Sequence, residues 1–290
     1  MRVDFNMPCF GGKFTDDFRF NKTLSTIKFL QKKGAKIILA SHLEIGAMRP
    51  SFKKFKKFFS AKIKNFSFSR SIVGEGTRKK TLALKAGEVL MIENLRRNSG
   101  EKSNSAAFAK KLAALGDIYI NEAFSASHRP HASIVGITKF LQSFAGPLFK
   151  EEVQNLSRVF YPPRPFLVII GGNKLSTKSG LLKKFLKKAD HVVVGSALAP
   201  PFFSGAKKRL NLSKMLPPAD VIVRNGAIYD LGPKTTKEIL KLVRKSRFVL
   251  WNGPLGWIEG GFTKSTKSLA EALARSRAET VVGGGDTAAF

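Results

Sequence analysis

Cysteine occurs once in this sequence, at Cys9, so neither an intrachain disulfide nor a cysteine-based zinc site is open to it. Histidine is almost as rare, at four, and none stands in an H-x3-H or HExxH spacing that would suggest a metal site. Tryptophan and tyrosine number two and three. Interleaved aromatic and basic residues, the platform of a single-strand nucleic-acid binder, are approached only by FKKFKKFF. No apolar run nears the ~20 residues that cross a bilayer; the longest, at 166–170 and 191–195, have strand length. The opening MRVDFNMP lacks an apolar h-region, which argues against a signal peptide and sets a cytoplasmic location as the expectation.

Acidic residues are scarce too: 20 against 51 lysines and arginines, for a net charge of +31. Such an excess attracts any polyanion, whether nucleic acid, an anionic membrane surface or phosphorylated metabolites. Much of it lies in segments such as 51–64 and 180–190, where lysine pairs recur between apolar positions as on a solvated helix face. What the chain does have is a 43% apolar content, enough for a core, and 290 residues, a length at which one core tends to become two.

Strand-like and helix-like runs alternate throughout, which predicts an α/β fold of two lobes, each a parallel sheet with helices on both faces in the Rossmann manner. Strands are expected at 2–6, 35–41, 88–93, 117–122, 165–170, 190–194, 220–224, 247–252 and 280–282. Helices are expected at 23–33, 105–115, 147–160, 178–188, 234–246 and 264–276. The divisions are a first lobe over 1–146, a hinge helix over 147–162 ended by Pro162-Pro163, and a second lobe over 163–290. Function should lie at the carboxyl ends of the strands.

Two glycine turns leave strands in the second half. VVGGGDTAAF runs into Gly283, Gly284 and Gly285, then Asp286 and Thr287 at a helix start. It reads either as an ordinary strand-helix turn or as a phosphate cradle, with Asp286 placed for Mg²⁺ and Thr287 for a phosphate oxygen. IIGGNKLSTK carries Lys174 and Lys178 one helical turn apart, either converging on one anion or standing as surface lysines. VLWNGPLGW adds Asn252 at a strand end, with Glu259 beyond it. The first half offers Arg2, Asp4, Asn6, Arg19, His42, Arg49, Arg96, Arg129 and His131 near strand ends. Clustered arginines suit a small, highly anionic substrate.

RVDFN, SHL…RP, ENLR, NEAFSASHRPHAS, GGNKLSTK, DLGPKT, WNGPLG…E and GGGDT, in this order and across nearly the whole chain, resemble the signature segments of phosphoglycerate kinases. The resemblance implies reversible phosphoryl transfer between 1,3-bisphosphoglycerate and ADP, giving 3-phosphoglycerate and ATP, in glycolysis. It implies small-molecule partners, Mg²⁺ with ATP or ADP, a monomer, and no membrane or specific nucleic-acid partner. Carried over, Asp4, Asn6, Arg19, His42, Arg49, Arg96 and Arg129 match the phosphoglycerate site. Lys174, Lys178, Gly195, Asn252, Glu259, the glycines 283–285, Asp286 and Thr287 match the nucleotide side. Arg19, Lys174, Gly284 and Gly285 fall nearest the transferring group, and the 147–162 helix and residues 252–256 are the hinge candidates. The sequence departs from the family pattern in five places, one of them Glu122 where the family has Asp. It looks shortened at both ends and is short after GSALA (195–199), which stands where the family has GGGMA. SHLEIGAMRP carries an insertion relative to SHLGRP. The rival expectation is an impaired homologue that binds polyanions such as RNA.

Overall fold

The computed structural model describes residues 1–172, 175–195, 212–284, 287, 288 and 290, without the side chains of 175–179, 181 and 212. The chain divides into two compact units, Met1–Gln154 and Asn155–Phe290.

In the first unit the strands Ile37–Leu39, Val89–Met91 and Phe66–Phe68 form a parallel sheet with Val89–Met91 central. A second parallel pair joins Ile118–Asn121 to Gln142–Ala145. Arg2 bridges to both Ala40 and Asn121 and so links the two sets. The strand expected over 2–6 stops there. Beyond Arg2 the backbone is held by side chains instead, Phe5 N–H donating to Ser41 Oγ at 2.9 Å and Asn6 N–H to Asp4 Oδ1 at 3.1 Å, local bonds that compete with a ladder. An antiparallel Cys9–Phe10/Lys13–Phe14 hairpin follows, turning on Gly11 and Gly12 at positive φ.

Helix Phe18–Lys32 starts five residues before its expected position and buries Phe20, Thr23 and Ile27 along one face. Those residues enter a phenylalanine cluster in which the Phe59 ring meets Phe5 at 5.4 Å, Phe20 at 5.7 Å, Phe58 at 5.3 Å and Phe66 at 5.9 Å. Much of the heavy phenylalanine use is spent here, directly behind the RVDFN segment.

The second unit is built on one five-stranded parallel sheet in the order Met215–Leu216, His191–Val194, Phe166–Ile170, Phe248–Asn252, Glu279–Gly283. Phe166, Val168 and Ile170 pack on one face with Leu182 and Leu186, while Leu167, Ile169, Val249 and Trp251 pack on the other with Ile239, Val243, Leu269 and Leu273. Burial on both faces is why FLVII and FVLW read as unbroken apolar runs. The strand expected near 220–224 lies outside this sheet. Val221–Arg224 pairs antiparallel with Ala227–Leu231 around Asn225-Gly226, both at positive φ, the mirror-turn geometry that this dipeptide favours. Helix Pro233–Lys245 begins with its proline in the first turn, where the missing N–H costs nothing. Asp220 caps it, taking Thr235 N–H at 2.7 Å and Lys234 N–H at 3.0 Å.

Candidate active site

In the first unit the functional side chains gather on the RVDFN segment and the loops that leave the strands. Asp4 is the centre of one half. Its Oδ2 takes a 2.7 Å bond from Arg19 on the first helix and a further bond from Ser125 Oγ, and Arg19 also reaches the Asn6 carbonyl at 3.3 Å. Burial opposes the ionisation of Asp4, but the nearby Arg19, with Ser125 and Arg2, holds its carboxyl below the usual range.

Behind it lies Arg2, fully buried. Its Nε donates to Ser133 Oγ at 3.0 Å, Nη1 to the Val3 carbonyl, and Nη2 to His42 Nδ1 at 2.9 Å. Ser133 is held in turn by Glu101, which accepts its N–H at 3.0 Å and its hydroxyl at 2.6 Å. A guanidinium only donates, so His42 Nδ1 is an acceptor and the ring proton sits on Nε2. Burial and then Arg2 push the His42 pKa down to about 3, despite Asp4. The 4.0 Å approach of Asp4 to His42 is therefore no ion pair at neutral pH. His131 falls to about 4, through burial and then the charges of Arg96 and Arg129.

The other half is the turn from Glu93 to Arg97. Asn94 clamps the preceding loop at both ends: its side-chain amide donates to the carbonyls of Leu43 and Pro50, each at 2.8 Å, and its Oδ1 accepts from Leu43 N–H at 3.1 Å. Within that loop Glu44 accepts from Arg96 Nη1 at 2.6 Å and lies 2.8 Å from Lys102 and 4.0 Å from Arg49. Burial opposes its ionisation, yet bonds from Lys102 and Arg96 bring its pKa to about 2. Arg96 is 2% exposed, and its Nε and Nη2 have no hydrogen-bond partner among the described residues. The His131 Nδ1 is likewise without one. Arg129, half-buried, adds to the field that holds both histidines neutral.

Sequence reasoning thus collected the basic residues but missed their supports. Glu101 (fully buried), Ser133, Asn94, Glu44 and Lys102 carry no motif of their own; only the ENLR context pointed toward Asn94.

In the second unit, glycines follow the sheet strands at their carboxyl ends: Gly171-Gly172 after Phe166–Ile170, Gly195 after His191–Val194, Gly253 after Phe248–Asn252, and Gly284 after Glu279–Gly283. The chain order reverses between Phe166–Ile170 and Phe248–Asn252, and open α/β sheets bind ligands at such a switch point. Gly171 and Gly172 donate to the carbonyls of Asn252 and Pro254 at 2.9 and 2.8 Å. A Cβ on Gly171 would stand 1.9 Å from the Pro254 oxygen. Thr287, which opens the next helical turn, is buried and accepts from Gly253 N–H at 3.0 Å. Gly284, at φ +97°, makes the turn between them. Glu259 lies exposed in the Ile258–Gly260 turn. Lys178 falls in helix Leu175–Lys188, its side chain outside the described atoms. Lys174, Gly285 and Asp286 lie outside the described residues.

The phosphoglycerate kinase family profile matches residues 1–220 and 207–290, which together span the chain. The chain belongs to the phosphoglycerate kinase family. A phosphoglycerate kinase from Leptospira biflexa is 37% identical, over 100% of this chain and 85% of its own; one from Coprothermobacter proteolyticus is also 37% identical, over 99% and 85%. The solved phosphoglycerate kinase from Coxiella burnetii superposes with a TM-score of 0.79 at 31% identity, covering 99% of this chain and 85% of that one. That from Pyrococcus horikoshii gives 0.86 at 25%, with the same coverage. The Leptospira alignment runs over 340 positions for 290 residues, so it opens internal gaps in this chain, and the two profile segments meet at 207–220, close to the stretch after 195–199 that the sequence marks as short. The function that goes with this family is that of a glycolytic phosphotransferase moving a phosphoryl group between an acyl phosphate and ADP, with a carboxyl group as acceptor in the reverse direction.

Proposed function

We propose that the first unit holds 3-phosphoglycerate or 1,3-bisphosphoglycerate and the second holds ADP or ATP. The observation that carries the first half is Arg96, a buried guanidinium with two of its three nitrogens unpartnered among the described residues. A buried charge left without acceptors is costly, and the fork of an arginine is matched by the oxygens of a phosphate or carboxylate. Arg96, Arg49 and Arg129 would take the phosphate, while Asp4, Asn6 and Arg19 would orient the hydroxy-acid end. Neutral His42, fixed by Arg2 with its proton on Nε2, is a hydrogen-bond donor toward the substrate and adds no charge.

On the nucleotide side, Gly171, Gly195 and Gly284 leave backbone free to approach phosphates, Thr287 fixes the glycine turn, and Asn252, Glu259, Gly283, Lys174, Lys178 and Gly285 complete the assignment. A Mg²⁺ carried by nucleotide phosphates needs few protein ligands, and Asp286, following the glycine cradle, is the carboxylate for it. The ion would neutralise charge on the phosphate oxygens. Arg19, Lys174 and Lys178 would add positive charge around the moving group, so no covalent protein intermediate is needed. In-line transfer requires the two ligands to meet with water excluded, for which helix 147–162 and residues 252–256 are the proposed hinges, between lobes 1–146 and 163–290. The same reading makes the enzyme a cytoplasmic monomer.

The test is ATP-dependent phosphorylation of 3-phosphoglycerate, coupled to glyceraldehyde-3-phosphate dehydrogenase. Turnover that Arg96→Ala abolishes is expected; a folded protein with no turnover would leave family membership without the activity.

A further inference from the structure

Glu44 stands where an anionic ligand should. It is the first residue of the five that separate SHL from RP, and a tight turn presents it: Ile45 and Met48 exchange two backbone hydrogen bonds, of 3.1 and 3.0 Å, around Gly46 at φ +57°. Its own N–H donates to Asn6 Oδ1 at 2.8 Å, and Asn94 grips the loop on both sides of it. Its carboxylate meets Arg96 at 2.6 Å, Lys102 at 2.8 Å and Arg49 at 4.0 Å. The side chain is one-quarter exposed, at 24%, so it has a path to water.

Resting on the reading of Arg49 and Arg96 as substrate-anion donors, we infer that Glu44 is a resident competitor, a specificity-determining carboxylate that occupies those cations until a substrate phosphate displaces it. One carboxylate carries a single negative charge over three cations. A phosphate dianion brings twice the charge and three oxygens to the same groups, and is favoured by charge-assisted bonds to the arginine fork. As Glu44 leaves Nη1, all three Arg96 nitrogens become available together. A monoanion gains no charge in the exchange and must still release the carboxylate to water. Glu44 therefore weakens binding of every anion, and of monoanions most, so that the pocket selects a phosphorylated acid over simple carboxylates.

The experiment is calorimetric binding of 3-phosphoglycerate, inorganic phosphate and acetate to the full chain and to Glu44→Gln, which keeps the shape and an acceptor oxygen but removes the charge. Binding of 3-phosphoglycerate should tighten about three- to tenfold, acetate should gain more than phosphate, and the KM for nucleotide should not move. Weaker or unchanged 3-phosphoglycerate binding in Glu44→Gln would overturn the inference and make Glu44 a scaffold for Arg96. Glu44→Asp, whose shorter arm keeps the charge but cannot span Arg96 and Lys102 together, should shift affinity in the same direction if the glutamine variant does not fold. Arg96→Ala separates the two claims: intact 3-phosphoglycerate binding there would refute the site assignment itself, whatever Glu44 does.

Discussion

Arg2 Nη2 donates to His42 Nδ1 across 2.9 Å, and through this bond a residue fully buried behind the site sets the protonation of one that faces it. The imidazole cannot accept a second proton without breaking the bond and placing two cations side by side. Both His42 and His131 have pKa values below the unperturbed 6.5, at about 3 and about 4.

That depression has a pH signature. The unfolded chain binds protons at both histidines below about pH 6.5 while the folded chain does not, so stability should fall as pH drops from 6.5 toward 4. Asp4 and Glu44, whose folded values are also lowered, add their own loss only below the usual carboxylate range. Between pH 6.5 and 4.5 the two histidines share the slope with the Met1 amino group, which burial and then Arg2 push down to about 5, and each approaches about 1.4 kcal/mol per pH unit while its folded form stays unprotonated. Urea unfolding at half-unit intervals measures it. A flat profile in that window, or an imidazole titrating near 6.5 by NMR, would show that His42 is not held as described.

Phe59→Ala should be among the most damaging single truncations in the first unit. Its ring is fully buried and packs against Phe5, Phe20, Phe58 and Phe66, and removal of a core phenylalanine costs about 3–5 kcal/mol. Because Phe5 belongs to RVDFN, the loss should also raise the KM for 3-phosphoglycerate at temperatures where the variant is still folded. Denaturant midpoints with an unchanged m-value would check the first part, and a loss below about 1 kcal/mol would contradict it.

Much of this was legible from residues alone. The alternation of apolar runs located four of the five parallel strands of the second unit to within a residue or two, because strands buried on both faces leave continuous apolar signals such as FLVII; the two-residue edge strand Met215–Leu216 is too short to leave one. The glycines at strand ends were legible for the same reason, since a turn without side chains is visible as composition. What could not be read is compensation. Ser133 bonds Arg2 across 131 positions of chain and Glu101 holds Ser133 in turn, and no local pattern marks a glutamate as buried. The first strand of the Asn225-Gly226 hairpin falls within the expected 220–224, but its return strand Ala227–Leu231 has no counterpart among the expected strands, since it is short and runs directly into the DLGP turn. Helix Phe18–Lys32 was begun late because DDFRF is polar on one side and its buried Phe20 stands alone before Thr23.

Arg129→Ala should raise the KM for 3-phosphoglycerate by at least tenfold while leaving nucleotide affinity within about twofold, the loss of one charged hydrogen-bonding partner being worth about 1.5–3 kcal/mol. Arg129 lies on the Phe124–Ala126 to His131 loop of the first unit and adds to the field at His42 and His131. Steady-state kinetics with each substrate varied in turn make the comparison. Equal losses for both substrates would contradict the division of labour between the units.

Gly171→Ala tests the second unit. The added Cβ would lie 1.9 Å from the Pro254 oxygen and 2.6 Å from the Gly253 oxygen, and both obstacles are backbone atoms at the end of the neighbouring strand. Neither can rotate aside, so the ends of Phe166–Ile170 and Phe248–Asn252 must separate, at the cost of the Gly171–Asn252 and Gly172–Pro254 bonds. The expected result is destabilisation of about 1–3 kcal/mol or more with a loss of nucleotide affinity, since the strands part at the switch point. Gly180→Ala is the control. Gly180 lies in helix Leu175–Lys188, a Cβ there meets nothing within 4 Å, and alanine in a helix should stabilise by about 0.5–1 kcal/mol. If Gly171→Ala bound nucleotide and unfolded like Gly180→Ala, the close approach of the two strand ends would have no role in the nucleotide site.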